Sequence, residues 1–329
     1  MSFNDNDTSL DLKELTDAII RDYSLGRDID RMQVFQQPDN EMVIDITKKL
    51  MMILFPGYYR DRNYLNYSYN NRMSILIEDV FYNLRAQVEI ALPNNPKYGE
   101  ADEETIKDAA NDICVEYFRR IPMIREYVNT DIQATYDGDP AAYNKDEIVL
   151  SYPGLMASTI CRLAHELYLM DVPMVPRMMT EYAHSKTGID IHPGATIGKY
   201  FFMDHGTGIV VGETSIIGEH VKIYQGVTIG ALSTKGGHSL FGKRRHPTIE
   251  DNVTIYSGAS ILGGETTIGA GSIIGSNVFI TSPIAPNTRI SNKTQEYSIK
   301  RRGEKVTIES EDTEKDINWI PDSAPDFSI

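Results

Sequence analysis

From Ile191 to Ile280 the chain repeats an aliphatic residue at every sixth position, with few interruptions. The positions are Ile191, Ile197, Met203 and Ile209, then Val211, Ile217, Ile223 and Ile229, and later Ile249, Ile255, Ile261, Ile268, Ile274 and Ile280. Twelve of these fourteen are isoleucine, so the repeat selects one side-chain shape. A small or β-branched residue recurs four places on, as at Ala195, Thr207, Val221, Val227, Val253, Ala259, Ser272 and Val278. Helices repeat every ~3.6 residues and strands every ~2, so neither produces a period of six. A short fixed period predicts a parallel β-helix, whose coils bury their apolar positions only by stacking on one another. Three hexads make one triangular turn of the left-handed form.

Upstream the period changes. Leu10 to Tyr23, Glu41 to Phe55, Met73 to Leu92, Glu103 to Ile121 and Pro122 to Tyr136 carry apolar residues three and four apart, as amphipathic helices do. Breaks fall at Pro56-Gly57, at Pro93-Asn94-Asn95-Pro96 and at Tyr136-Asp137-Gly138-Asp139-Pro140. Two further helices are predicted, from Pro153 to Met170 and from Pro173 to Ser185. The ladder itself is interrupted once, by the Gly-rich and basic segment 231–247. A stacked scaffold does not need such a loop, which makes it the expected wall of an active site. The chain therefore reads as α+β and multidomain. An α-helical domain spans 1–188, a left-handed parallel β-helix spans 189–290, and a C-terminal tail spans 291–329.

Charge changes the picture mainly at that tail. Between Glu304 and Ile329 eight acidic residues face only Lys305 and Lys315, so an acidic, disordered segment is expected. It ends in the apolar Phe327 and Ile329, the pattern of a docking peptide. The whole chain of 329 residues carries a net charge of −15, which argues against tracking a nucleic-acid backbone. Cys114 and Cys161 form no metal-binding or disulfide pattern, and no secretory or membrane-spanning stretch is visible. The expectation is a cytoplasmic protein with no membrane contact and no bound metal.

All seven histidines lie between His165 and His246. His165 and His184 fall in helical stretches and read as packing or surface residues. His192 reads as part of the first turn, His220 as an exposed coil position and His238 as a loop residue. His205 follows Asp204 at a coil edge, and His246 follows Arg245 at the end of the loop. A coil edge with Asp190 and His205, faced by Arg245 and His246, offers a base, an orienting carboxylate and a cationic clamp. That set suits acyl transfer to a hydroxyl: the histidine takes the proton and the aspartate fixes its tautomer. His205 taken alone reads nearly as well as structural.

These residues also carry a family resemblance. Asp190-Ile191-His192-Pro193, the run from Met203-Asp204-His205-Gly206-Thr207-Gly208 to Gly212-Glu213-Thr214, Gln225-Gly226-Val227-Thr228-Ile229-Gly230 and Arg245-His246-Pro247 resemble serine acetyltransferase. With Gly138-Asp139-Pro140-Ala141, the resemblance is dense from about Gly138 to Ile290.

The resemblance implies O-acetylation of L-serine by acetyl-CoA, the first committed step of cysteine biosynthesis. It implies a catalytic set of His205 as general base, Asp190 as its orienting partner, and His246. Asp139 and Asp204 would hold the serine amine, while Arg245 and His246 would hold its carboxylate. Acetyl-CoA would enter as co-substrate, with no permanently bound cofactor. It would lie along the groove between neighbouring β-helices, at Gly230, Ala231, Ser257 and Ser276, with Lys235 or Lys243 near a phosphate. The resemblance further implies feedback inhibition by L-cysteine and a homotrimer or dimer of trimers. It also implies docking of Phe327-Ser328-Ile329 on O-acetylserine sulfhydrylase.

Three other readings stay open at this stage. One is an acetyltransferase for another hydroxyl, such as homoserine, O-phosphoserine or a sugar. A second is a zinc-dependent carbonic anhydrase using His192, His205, His220 and His246. The third is a scaffold whose tail alone is functional.

Overall fold

The computed structural model describes residues 5–30, 37–59, 69–233, 235–240, 242–292, 298–301 and 304–307. Seven α-helices come first among these residues: α1 (Asp5–Tyr23), α2 (Asn40–Leu54), α3 (Tyr69–Ala91), α4 (Glu103–Gly138), α5 (Lys145–Ser151), α6 (Pro153–Leu169) and α7 (Val175–Thr187). Their ends follow local chemistry. Asp39 caps α2 by accepting from Met42 N at 2.9 Å, and Asp102 caps α4 by accepting from Thr105 N at 2.8 Å. Gly188 ends α7 with φ 69°, a left-handed conformation that glycine adopts without a Cβ clash.

Two sequence expectations change here. The helices proposed on either side of Pro122 are one, because α4 runs through that proline. A proline inside a helix costs roughly 3 kcal/mol. Here the buried stripe of Tyr117, Ile121, Ile124 and Val128 continues across it, and its packing outweighs that cost. The short helix α5 gives no clear periodic signal. It forms because Asn144 caps it by accepting from Glu147 N at 2.8 Å.

The ladder becomes a three-sided parallel β-helix. Its strands are β1 (Asp190–Ile191), β2 (Thr196–Ile197), β3 (Phe202–Asp204), β4 (Val210–Val211), β5 (Ile216–Ile217), β6 (Lys222–Tyr224) and β7 (Thr228–Gly230), followed by β8 (Thr248–Ile249), β9 (Thr254–Ile255), β10 (Ser260–Leu262), β11 (Thr267–Ile268), β12 (Ile273–Ile274), β13 (Phe279–Ile280) and β14 (Arg289–Ile290). The first face is β1-β4-β7-β10-β13, the second β2-β5-β8-β11, and the third β3-β6-β9-β12-β14. The register stacks the apolar positions directly: Ile191 on Val211, Val211 on Ile229, Ile229 on Ile261, and Ile261 on Ile280. All fourteen positions of the repeat are buried.

One of the fourteen behaves differently. Ile209 is a buried corner residue, and the strand anchor beside it is Val211. Ile191 and Val211 are therefore twenty residues apart rather than the eighteen of three hexads. Gly208, Gly226 and Gly258 stack closely, since a Cβ on Gly208 or Gly226 would meet the next glycine's Cα at 3.5 Å. The two extra residues thus fall before Gly208, at the corner between β3 and β4, where His205 and Gly206 lie.

The helices dock on the β-helix through α4 and α6. Arg162 of α6 makes a bidentate pair with Asp131 of α4 at 2.8 Å, and also donates to the carbonyls of Ile197 and Gly198. Asp131 in turn accepts from Phe201 N at 3.0 Å. This buried pair is fully hydrogen-bonded, the condition under which such a pair is tolerated. Gly154 of α6 packs so close to β3 that a Cβ would lie 2.6 Å from the Met203 carbonyl oxygen. Beyond β14, β15 (Ser298–Arg301) and β16 (Glu304–Thr307) form an antiparallel pair within the expected tail. The proposed docking peptide Phe327-Ser328-Ile329 lies outside the described residues.

Candidate active site

The two-residue insertion pushes His205 out of the coil. Its backbone takes φ 55°, uncommon for a residue with a Cβ, and the following Gly206 takes φ 77°. Gly206 N donates to the Asp204 carbonyl at 2.5 Å, which tightens the turn. The imidazole is exposed, with Nε2 3.7 Å from Asp204 Oδ1.

Asp204 itself is buried at the end of β3. Burial raises its pKa; His205 opposes that rise and the nearby Asp139 adds to it. Asp139, just past the end of α4, accepts from Ala141 N at 2.8 Å and from the Tyr152 hydroxyl at 2.5 Å. Burial, and then the Asp139 bond, push the Tyr152 hydroxyl well above its usual value, so it stays a donor. The structure therefore brings Asp139, Asp204 and His205 together as an acidic group beside a base.

Arg245 and His246 form a second group. The loop leaves β7 at the corner after Gly230 and returns to β8, and its last residues fold back onto the corner between β4 and β5. His246 lies hard against Gly212, where a Cβ would come within 2.1 Å of its Cδ2 and 2.2 Å of its Nε2. Its Nδ1 accepts from Thr214 N at 3.0 Å. A backbone N–H can only donate, so this bond assigns the tautomer with the proton on Nε2. Thr214 Oγ1 completes the turn by accepting from Arg245 N and His246 N while meeting Nδ1 at 2.9 Å. The expectation of a cationic pair here needs correction. Burial, then Arg245, lower the His246 pKa to about 4, so His246 is a neutral donor and Arg245 carries the charge.

This has a measurable consequence for stability. Below an unfolded pKa of about 6.5 the unfolded chain takes up a proton that folded His246 refuses until pH about 4. Stability present above pH 6.5 is therefore lost as pH falls towards 4, by about 3 kcal/mol from this group. NMR titration of the ring should show it neutral at pH 5. A midpoint near 6.5 would contradict the assignment.

Arg245 is held by Glu213, which also accepts from the Tyr168 hydroxyl at 2.9 Å. In the sequence Glu213 and Thr214 stand out only as part of a motif, and nothing marks a role for Tyr152 or Tyr168. The two tyrosines sit at the start of α6 and within it, where nothing in the local pattern marks them. A cleft of about 580 Å³ opens beside the group, lined in part by Tyr168, Arg177, His192 and Glu213.

The two groups do not meet within one chain. His205 stands at the corner between the third and first faces, and His246 at the corner between the first and second. The proposed cofactor positions divide the same way. Gly230 and Ala231 adjoin the loop, whereas Ser257 and Ser276 lie on the His205 edge with their Oγ atoms 3.2 Å apart. Lys235 and Lys243 are exposed on the loop.

Asp190 makes no ion pair with His205 among the described residues. Arg177 of α7 lies 3.5 Å from its Oδ1, and Glu181 and His184 of the same helix are close by. The four histidines of the zinc reading also fail to converge in one chain. His220 is stacked on Tyr200 at 4.2 Å on the corner between the second and third faces, away from both groups. The His238 side chain lies outside the described residues.

No protein-family model matches the chain. A protein of Synechococcus elongatus named serine acetyltransferase, plasmid, is 39% identical over 239 residues, covering 69% of this chain and 73% of its own length. The chain belongs to the serine acetyltransferase family. Solved structures of the family agree. Serine acetyltransferase 1 of Entamoeba histolytica, in complex with L-cysteine, superposes with a TM-score of 0.64 at 34% identity, covering 78% of this chain and 87% of that one. The serine acetyltransferase of Neisseria gonorrhoeae in complex with serine gives 0.50 at 25% identity, over 77% of this chain and 95% of that one. As the family resemblance implied, the chain is an acyltransferase built on a hexapeptide-repeat β-helix. Among the described residues no helix is long and apolar enough to cross a membrane.

Proposed function

We propose that the chain is a serine O-acetyltransferase that converts acetyl-CoA and L-serine to O-acetyl-L-serine and CoA, and that it assembles its site from two copies. The observation that carries the reading is the polarity of the two groups. Paired carboxylates at Asp139 and Asp204 suit an ammonium group, and Arg245 with the Nε2–H of His246 suits a carboxylate. A zwitterionic hydroxy amino acid held between them presents its hydroxyl to His205.

The chemistry then balances simply. His205 takes the hydroxyl proton as the serine oxygen attacks the thioester carbon. The tetrahedral intermediate collapses, the C–S bond breaks, and the proton on His205 passes to the departing sulfur. Asp190 is proposed as the carboxylate that orients His205. Its contact with Arg177 is long and partly solvated, so exchanging it costs little.

Because the two groups sit on opposite edges of one face, the site closes when the His205 edge of one copy meets the Arg245 edge of another. A ring of three closes such a head-to-tail contact. Gly230 and Ala231 of one copy and Ser257 and Ser276 of the next then flank the bound acetyl-CoA. The division into a helical region 1–188, a catalytic β-helix 189–290 and a tail 291–329 belongs to this proposal. So do feedback by L-cysteine at the serine site, a cytoplasmic location, a dimer of trimers and docking of Ile329 on O-acetylserine sulfhydrylase.

The test is thiol release from acetyl-CoA with L-serine, homoserine or O-phosphoserine as acceptor. Release that depends on L-serine supports the reading. Release only with another acceptor would transfer the same machinery to that substrate, since a pocket separates one methylene by only about 1–3 kcal/mol.

A further inference from the structure

Glu213 lies at the corner between β4 and β5 and is only 6% exposed. A buried carboxylate needs partners for both oxygens. Tyr168 of α6 donates to Oε1 at 2.9 Å, and Arg245 Nη2 pairs with Oε2. Burial by itself would raise this carboxyl's pKa. The bonds from Arg245 and Tyr168 outweigh burial and hold it below its usual value, so the group stays ionised.

Arg245 is tied on its other side as well. Its Nη1 donates to the carbonyls of Leu240 at 3.2 Å and Lys243 at 3.4 Å, and its backbone N–H to Thr214 Oγ1 at 2.9 Å. A guanidinium has five N–H donors. Nη1 uses its two and Glu213 takes one from Nη2, so two N–H groups have no acceptor among the described residues. Two is the number a carboxylate takes in a bidentate pair.

We propose that Glu213 and Tyr168 are positioning residues for acetyl transfer, holding Arg245 so that its two remaining N–H groups face the substrate carboxylate. The inference rests on reading Arg245 as the carboxylate clamp for L-serine. Lys243 and Arg244 beside it are exposed, and an arginine at the end of such a loop would otherwise sample many rotamers. Fixing the guanidinium beforehand removes that entropy loss from substrate binding. Tyr168 also stands edge-on to His192 at 5.8 Å, which joins the helical region to the clamp.

The experiment compares Glu213→Gln, Tyr168→Phe and Arg245→Ala in the full chain, alone and combined. Glu213→Gln should raise KM for L-serine about ten-fold or more, and Tyr168→Phe by less, with KM for acetyl-CoA changing less than about two-fold. In the Arg245→Ala background, Glu213→Gln should add nothing. Equal rises in both KM values, or additive effects with Arg245→Ala, would overturn the inference.

Limited trypsin cleavage after Arg245 provides a readout independent of activity. Glu213→Gln should speed that cut, because the side chain is released. Unchanged cleavage with an unchanged serine KM would also overturn the inference. If the wild type releases no CoA with serine while Glu213→Gln still speeds the cut, the substrate reading fails and the hold of Glu213 on Arg245 stands.

Discussion

Replacing His205 by alanine is expected to lower serine-dependent CoA release by about 10²–10⁴-fold, the range a positioned general base supplies. The loss should appear in kcat, because His205 acts on the hydroxyl proton and the substrate's charged ends are held elsewhere. The fold should survive the change. The imidazole is exposed at the corner, and its side-chain partner is Asp204 at 3.7 Å, a contact that contributes little. Relief of the φ 55° backbone is not expected, since alanine keeps the Cβ that makes this conformation costly. Thermal unfolding measured beside the kinetics separates loss of chemistry from loss of structure. A variant as active as the wild type would remove His205 from the mechanism.

The sequence made the scaffold legible and left the contacts that hold the site residues hidden, for a physical reason. A β-helix repeats one environment, so the same demand for a buried branched side chain recurs at Ile217, Ile223, Ile249 and Ile255 and announces itself as a period. Even the break in that period is informative. The extra His205 and Gly206 show as an eight-residue step between Met203 and Val211, and that is where the chain leaves the regular corner.

The contacts around Arg245 carry no such signal. Tyr168, Glu213 and Arg245 come from a helix, a coil corner and a loop, and their meeting depends on how α6 packs across the coil. The protonation state of His246 was equally unreadable. It follows from burial against Gly212 and from the Thr214 amide, neither of which leaves a mark on residue order. Pro122 misled in the opposite direction. A strong local breaker was overridden by the buried stripe on both sides of it, as tertiary packing commonly does to propensity.

The second large effect follows from the separation of the two groups within one chain. Assayed with L-serine well below its wild-type KM, His205→Ala and Arg245→Ala chains should each show little activity alone, and co-expressing them should restore activity. Each His205→Ala chain still carries an intact Arg245 edge, and each Arg245→Ala chain an intact His205 edge. In a random ring of three, about one quarter of the contacts join two intact edges, so recovery towards about one quarter of the native rate is expected. Mixing the separately purified variants without exchange of subunits should restore nothing. If His205 and Arg245 of the same chain formed one site, every chain in the mixture would carry a defect and no activity would return. Absence of recovery in co-expressed, verified mixed oligomers would therefore place the site within a single chain. Recovery near one quarter would place it between two copies, with the His205 edge of one closing on the Arg245 edge of the next.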